Sequence, residues 1–124
     1  MTDNEKNRKI HEWLGNCYHT LIPSGKVTMS GFEVMRCSQC NKHESFCEPC
    51  PDYLHDNGAA VGLLDVLVGK DVYWFMRAYQ KDKTMVELRD IHGNPLIPFQ
   101  SEPSISEAIS EAILALIEKE ATNG

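Results

Sequence analysis

The chain has 124 residues, 42% of them hydrophobic and 24% charged, and 12 basic against 18 acidic side chains give a net charge of −6. A chain of this length builds one modest core, and its acidity weighs against a sequence-independent nucleic-acid binder, whose affinity comes from Lys and Arg on phosphates. The polar opening MTDNEKNRKI lacks a secretory core, and no apolar run reaches the length of a bilayer span, so the expectation is a protein of a reducing cytosol.

In chain order, Thr2 and Glu5 form a capping box that opens a first helix, with Ile10, Trp13 and Leu14 as its apolar face and Gly15 as its C-cap. The segment CYHTLIPSGKVTMSGFEVMRC reads as a hairpin, with the turn at Pro23, Ser24 and Gly25. Asp56 caps a second helix whose Ala60, Leu63, Leu64 and Leu67 recur at helical spacing up to Gly69. Three strands follow, in DVYWFMRAY, TMVELRD and NPLIPF, with a turn at His92, Gly93 and Asn94. The first is nearly continuous in apolar residues and reads as buried on both faces. The second alternates, Val86 and Leu88 against Glu87 and Arg89, and reads as wet on one face. Ser104 and Glu107 open a third helix, with Ile105, Ile109, Ala112, Ile113, Leu116 and Ile117 on one broad face. The fold class is α+β: a small antiparallel sheet packed by about three helices, sandwich-like. Residues 1–124 read as a single domain, with 17–50 as a hairpin and Cys-rich metal-binding segment within it.

RCSQCNKHESFCEPC holds two Cys-x-x-Cys pairs, Cys37/Cys40 and Cys47/Cys50, and the total of five cysteines cannot all pair within one chain. Structural zinc takes four thiolate or imidazole ligands in a tetrahedron. Cys37, Cys40, Cys47 and Cys50 are the first expected set, because NKHESF is long enough to reverse the chain between the pairs. The alternative draws on Cys17 and His19, two apart on an expected strand and leaving the same face. With Cys37 and Cys40 they would join the two ends of the hairpin. Free thiols, a binuclear cluster and a redox disulfide stay open. Either four-ligand set makes the zinc structural, since no position is left for a reacting water.

EWLGNCYH, RCSQC and PDYLHDNGAAVGLLDVL together resemble a group of small bacteriophage proteins, the phage ABA sandwich domain family. The resemblance rests on Trp13-Leu14-Gly15 closing the first helix, the pairs Cys17/His19 and Cys37/Cys40, the Pro51-Asp52-Tyr53 element leading to the Asp56 cap, and the last helix from Pro103. It implies an α/β sandwich, a phage or prophage origin and, with that, the host bacterial cytoplasm. It lends support to Cys17 and His19 as ligands, while the Cys47/Cys50 pair departs from the family pattern. No defined activity comes with it.

Catalytic motifs are missing. A deaminase needs His-x-Glu before Pro-Cys-x-x-Cys, whereas here His43 and Glu44 are adjacent and Pro49 falls inside the pair. VGKDV lacks the Walker spacing. His11, His43, His55 and His92 fall on expected surface or turn positions without a partnered nucleophile. Tyr53 and Asp56 read as a staple and a cap, and Tyr73, Trp74 and Phe75 as core rather than a stacking platform for bases. The expectation is a non-catalytic accessory protein with structural zinc that binds a host or phage protein and inhibits a host function such as defence. The alternative is a nucleotide binder with Arg77 or Arg89 on phosphate. A zinc-containing nucleic-acid module comes third.

Overall fold

Every helix starts where a short polar side chain serves the free amides of the first turn. The computed structural model describes residues 1–123. In α1 (Asp3–Trp13) the Thr2 hydroxyl accepts from the Glu5 amide at 3.2 Å. Beyond its end, Gly15 at φ 87° lets the Gly15 and Asn16 amides donate back to Glu12 and His11, the paired bonds of a Schellman turn. In α2 (Asn57–Gly69) Asp56 accepts from the Ala59 amide at 3.2 Å, and in α3 (Ile105–Asn123) Ser104 accepts from Glu107 at 3.2 Å. Asp56→Ala is expected to lower stability by about 1 kcal/mol, seen as a lower urea midpoint at unchanged slope. An unmoved midpoint would show the cap to be idle.

The chain divides into two compact units, Met1–Ile10 with Pro51–Gly124 and His11–Cys50, and α1 runs from the first into the second. The segment 17–50 lies inside the second unit. Among the described residues, no helix is long and apolar enough to cross a membrane.

In the first unit β3 (Tyr73–Gln80), β4 (Lys83–Arg89) and β5 (Pro95–Glu102) form an antiparallel sheet in the order β3-β4-β5. Together with the helices this gives the expected α+β class. The alternation in β4 sends Val86 and Leu88, both fully buried, against the helices, and Leu63, Leu67, Ile109 and Ile113 complete the core. All four apolar positions expected on α2 are buried. Asp90 closes the β4–β5 turn by accepting from the His92 and Asn94 amides, with Gly93 at φ 82°.

PDYLHD is a structural joint. Tyr53 and Leu54 are buried, and their carbonyls accept from the Ser110 and Ser106 hydroxyls at 2.7 and 2.8 Å. Asn7 donates to Asp52 and accepts from the Leu54 amide. That donation, together with His55, holds the Asp52 carboxyl below its ordinary range. Lys6 adds an ion pair to Glu111 at 2.6 Å.

Two expectations fail here. Strand β3 is an edge strand, not one buried on both faces, and Tyr73, Trp74 and Phe75 are all exposed. An apolar run records affinity for a sheet, but not whether a further layer exists to cover it.

In the second unit β1 (Leu21–Val27) pairs with β2 (Glu33–Cys37). The turn is not at Pro23-Ser24-Gly25, where the register slips in a bulge with Gly25 at φ 84°. It falls at residues 28–32, where the Thr28 hydroxyl accepts from Phe32, Thr28 and Phe32 bond through their backbones, and Gly31 takes φ 86°. Both segments have turn chemistry, and the Thr28 side chain closes the second of them.

Candidate metal centre

The hairpin register decides which ligands meet. Leu21 lies opposite Cys37, so residues just before β1 stand beside those just after β2. The pairing reaches one step further through the Ser38 amide, which donates to the Thr20 carbonyl at 2.9 Å. Cys17 and His19 precede β1 instead of lying on a strand, yet they arrive beside Cys37 and Cys40.

The loop after β2 is shaped for a thiolate. Asn41, at φ 63°, donates its amide to the Cys37 carbonyl, and the Cys37 amide donates to Lys42. This tight turn aims backbone amides at the Cys37 sulfur, Gln39 N–H among them at 3.4 Å. The Cys40 amide leads in drawing the Cys37 thiol down to about 5 against the effect of burial, and His19 and Gln39 add to it. Burial pushes Cys17 the other way, up to about 11, with the neighbouring Cys37 and Cys40 adding to the rise.

Cys17, His19, Cys37 and Cys40 have ligand atoms all within 4.8 Å of one another and could hold a metal ion. The Cys17 and Cys37 sulfurs are 3.7 Å apart, and Cys40 Sγ lies 3.4 Å from His19 Nδ1. None of the five cysteines forms a disulfide. His11, expected on the surface, is buried. It hydrogen-bonds the Cys17 backbone, while burial and the nearby His19 lower its affinity for a proton. It braces the segment that carries Cys17, a role its position on the last turn of α1 did not announce.

The first expected set, Cys37, Cys40, Cys47 and Cys50, is therefore not the one that converges; the alternative with Cys17 and His19 is. A single 3₁₀ turn, Glu44–Phe46, separates the second pair from the first. It directs Cys47 Sγ toward the Lys42 and His43 carbonyls at 3.6 and 3.5 Å. Cys47 still reaches Cys40 as a hydrogen-bonding neighbour, and burial raises its pKa. Cys47 and Cys50 line a cleft of about 400 Å³ that shares His19 with the cluster.

No protein-family model, curated protein or solved structure matches the chain.

Proposed function

We propose that this is a non-catalytic binding protein in which a structural zinc ion, held by Cys17, His19, Cys37 and Cys40, fixes a β-hairpin that meets a protein partner. The observation that carries the reading is the convergence of these four ligand atoms. Zinc–sulfur bonds of about 2.3 Å and zinc–nitrogen bonds of about 2.05 Å place tetrahedral S–S and S–N pairs about 3.8 and about 3.6 Å apart. The corresponding separations here are 3.7 and 3.4 Å. Four protein ligands leave no open coordination position, which favours a structural role over a catalytic one.

The need for such an ion is visible in the unit itself. Among its described residues, Cys37 is the one fully buried apolar side chain. A segment without a hydrophobic core requires a metal or covalent staple to hold one shape. The stapled hairpin carries Val27, Met29 and Phe32 around its turn, with Met29 fully exposed and Phe32 at 72%. Apolar side chains gathered on a protruding turn suit contact with a protein. The resemblance to phage proteins is the ground for proposing a host or phage partner met in the bacterial cytoplasm, and the small size, acidity and missing catalytic motifs of the chain are the ground for proposing inhibition of a host function as the outcome.

The test is native mass spectrometry of tagged, zinc-loaded protein recovered from bacterial lysate, alongside the double variant Met29→Glu, Phe32→Glu. A partner held at fixed stoichiometry by the parent and lost from the variant, with zinc retained in both, supports the reading. Equal capture by both proteins would remove the hairpin turn from it.

A further inference from the structure

The outer face of the three-stranded sheet leaves aromatic side chains exposed on its edge strands, while Glu87 on the central strand is buried. Register places Tyr73 opposite Arg89, Phe75 opposite Glu87 and Arg77 opposite Met85. Alternation turns these away from the face of Val86 and Leu88. Phe99 lies on β5 in the irregular stretch where two residues of that strand stand against one of β4, between the partners of Leu88 and Val86. Tyr73, Phe75 and Phe99 are 42%, 47% and 40% exposed. Tyr73 and Phe75 on one face of β3, with Phe99 exposed on the other edge strand, mark an interaction surface rather than chance exposure.

The charges on this face are arranged. The Arg89 guanidinium lies 4.3 Å from the centre of the Phe75 ring and is ion-paired with Glu87. It is thereby fixed over the ring, and the Glu87 charge is neutralised. Arg77, exposed and two residues along from Phe75, adds a positive charge to the face, in a chain of net charge −6.

We propose that this face binds single-stranded nucleic acid, with bases stacking on Tyr73, on Phe99 and on the Phe75–Arg89 pair, and Arg77 meeting a phosphate. Aromatic rings and guanidinium planes give unpaired bases flat partners, and a free arginine suits a phosphodiester oxygen. Strands sit about 4.8 Å apart, so Phe75 and Phe99, on the two edge strands, stand about 10 Å apart across β4, which leaves room for separate bases. The acidity of the whole chain speaks against binding driven by phosphate contacts, and stacking does not depend on it. The one phosphate contact, from Arg77, predicts a salt slope of only about −0.7 on a single strand. This surface belongs to the first unit, so it stands or falls separately from the zinc-fixed hairpin.

The experiment is fluorescence anisotropy of a labelled ten-nucleotide oligothymidine, titrated with the full zinc-loaded chain, beside a duplex of equal length. The single strand is expected to bind in preference to the duplex. Tyr73→Ala and Phe99→Ala should each weaken binding about tenfold, within the range for losing one stacked base, and Arg77→Ala should flatten the salt slope by about 0.7. Thermal unfolding should not move, because these side chains lie outside the core. No binding up to about 100 μM protein, the weak end of sequence-independent association, would overturn the proposal. Binding indifferent to the ring variants would also overturn it. So would a self-associated state that Phe99→Ala dissolves in the absence of oligonucleotide, since a second copy of the chain would then be the occupant.

Discussion

Replacing Cys37 with serine is expected to abolish stoichiometric zinc binding and unfold the hairpin unit, while leaving the helix-and-sheet unit folded. Cys37 lies at the centre of the cluster: it is fully buried, it receives the Gln39 amide, and its sulfur stands 3.7 Å from that of Cys17. Structural zinc contributes roughly 10–16 kcal/mol of apparent binding free energy in small domains. That matches or exceeds the ~5–15 kcal/mol that stabilises a typical whole domain. A unit with almost no buried apolar surface has nothing to replace it. Amide exchange should therefore rise across residues 17–47 and stay slow in β4 and α3, and chelation of zinc from the parent protein should reproduce the pattern. Cys50→Ser is the matched control, expected to keep full zinc and unchanged exchange, because Cys50 lies outside the converging set. Zinc retained by Cys37→Ser but lost from Cys50→Ser would return the site to the two Cys-x-x-Cys pairs.

Leu88→Ala is expected to cost the first unit about 3 kcal/mol, within the ~2–5 kcal/mol range of such truncations. Leu88 is fully buried on the central strand, opposite Trp74 on one side and Ile97 on the other. Its removal leaves a cavity that close-packed neighbours fill only in part. Urea unfolding followed by circular dichroism checks it, and a loss below about 1 kcal/mol would show that the core collapses around the gap. Phe75→Ala, one strand away but on the outer face, should change stability by no more than about 0.5 kcal/mol. The contrast between the two variants measures the asymmetry of the sheet directly.

Local chemistry was legible in the sequence. Thr2, Asp56 and Ser104 cap the helices expected of them, Gly15 ends α1, and Ala60, Leu63, Leu64 and Leu67 are buried. These features depend on residues a few positions apart, whose geometry is set by the helix itself. The hairpin turn was misplaced because Pro23-Ser24-Gly25 and Thr28–Gly31 carry equivalent turn signals, and their competition is settled by strand register. His11 was missed because a polar residue on the last turn of a helix gives no sign of whether a loop will fold over it.

The sequence by itself determined the α+β class, the helix limits and the presence of thiol and imidazole groups at metal-binding spacing. Each follows from periodicity, capping and short-range reach. Tertiary structure alone decided that Cys17 and His19 join Cys37 and Cys40 while Cys47 and Cys50 stand beside them, because antiparallel register brings the ends of the hairpin together. It alone decided as well that Tyr73 and Phe75 of β3 are left exposed on an edge strand. The affinity of a residue for a sheet is a local property, whereas its burial depends on which other elements arrive to cover it.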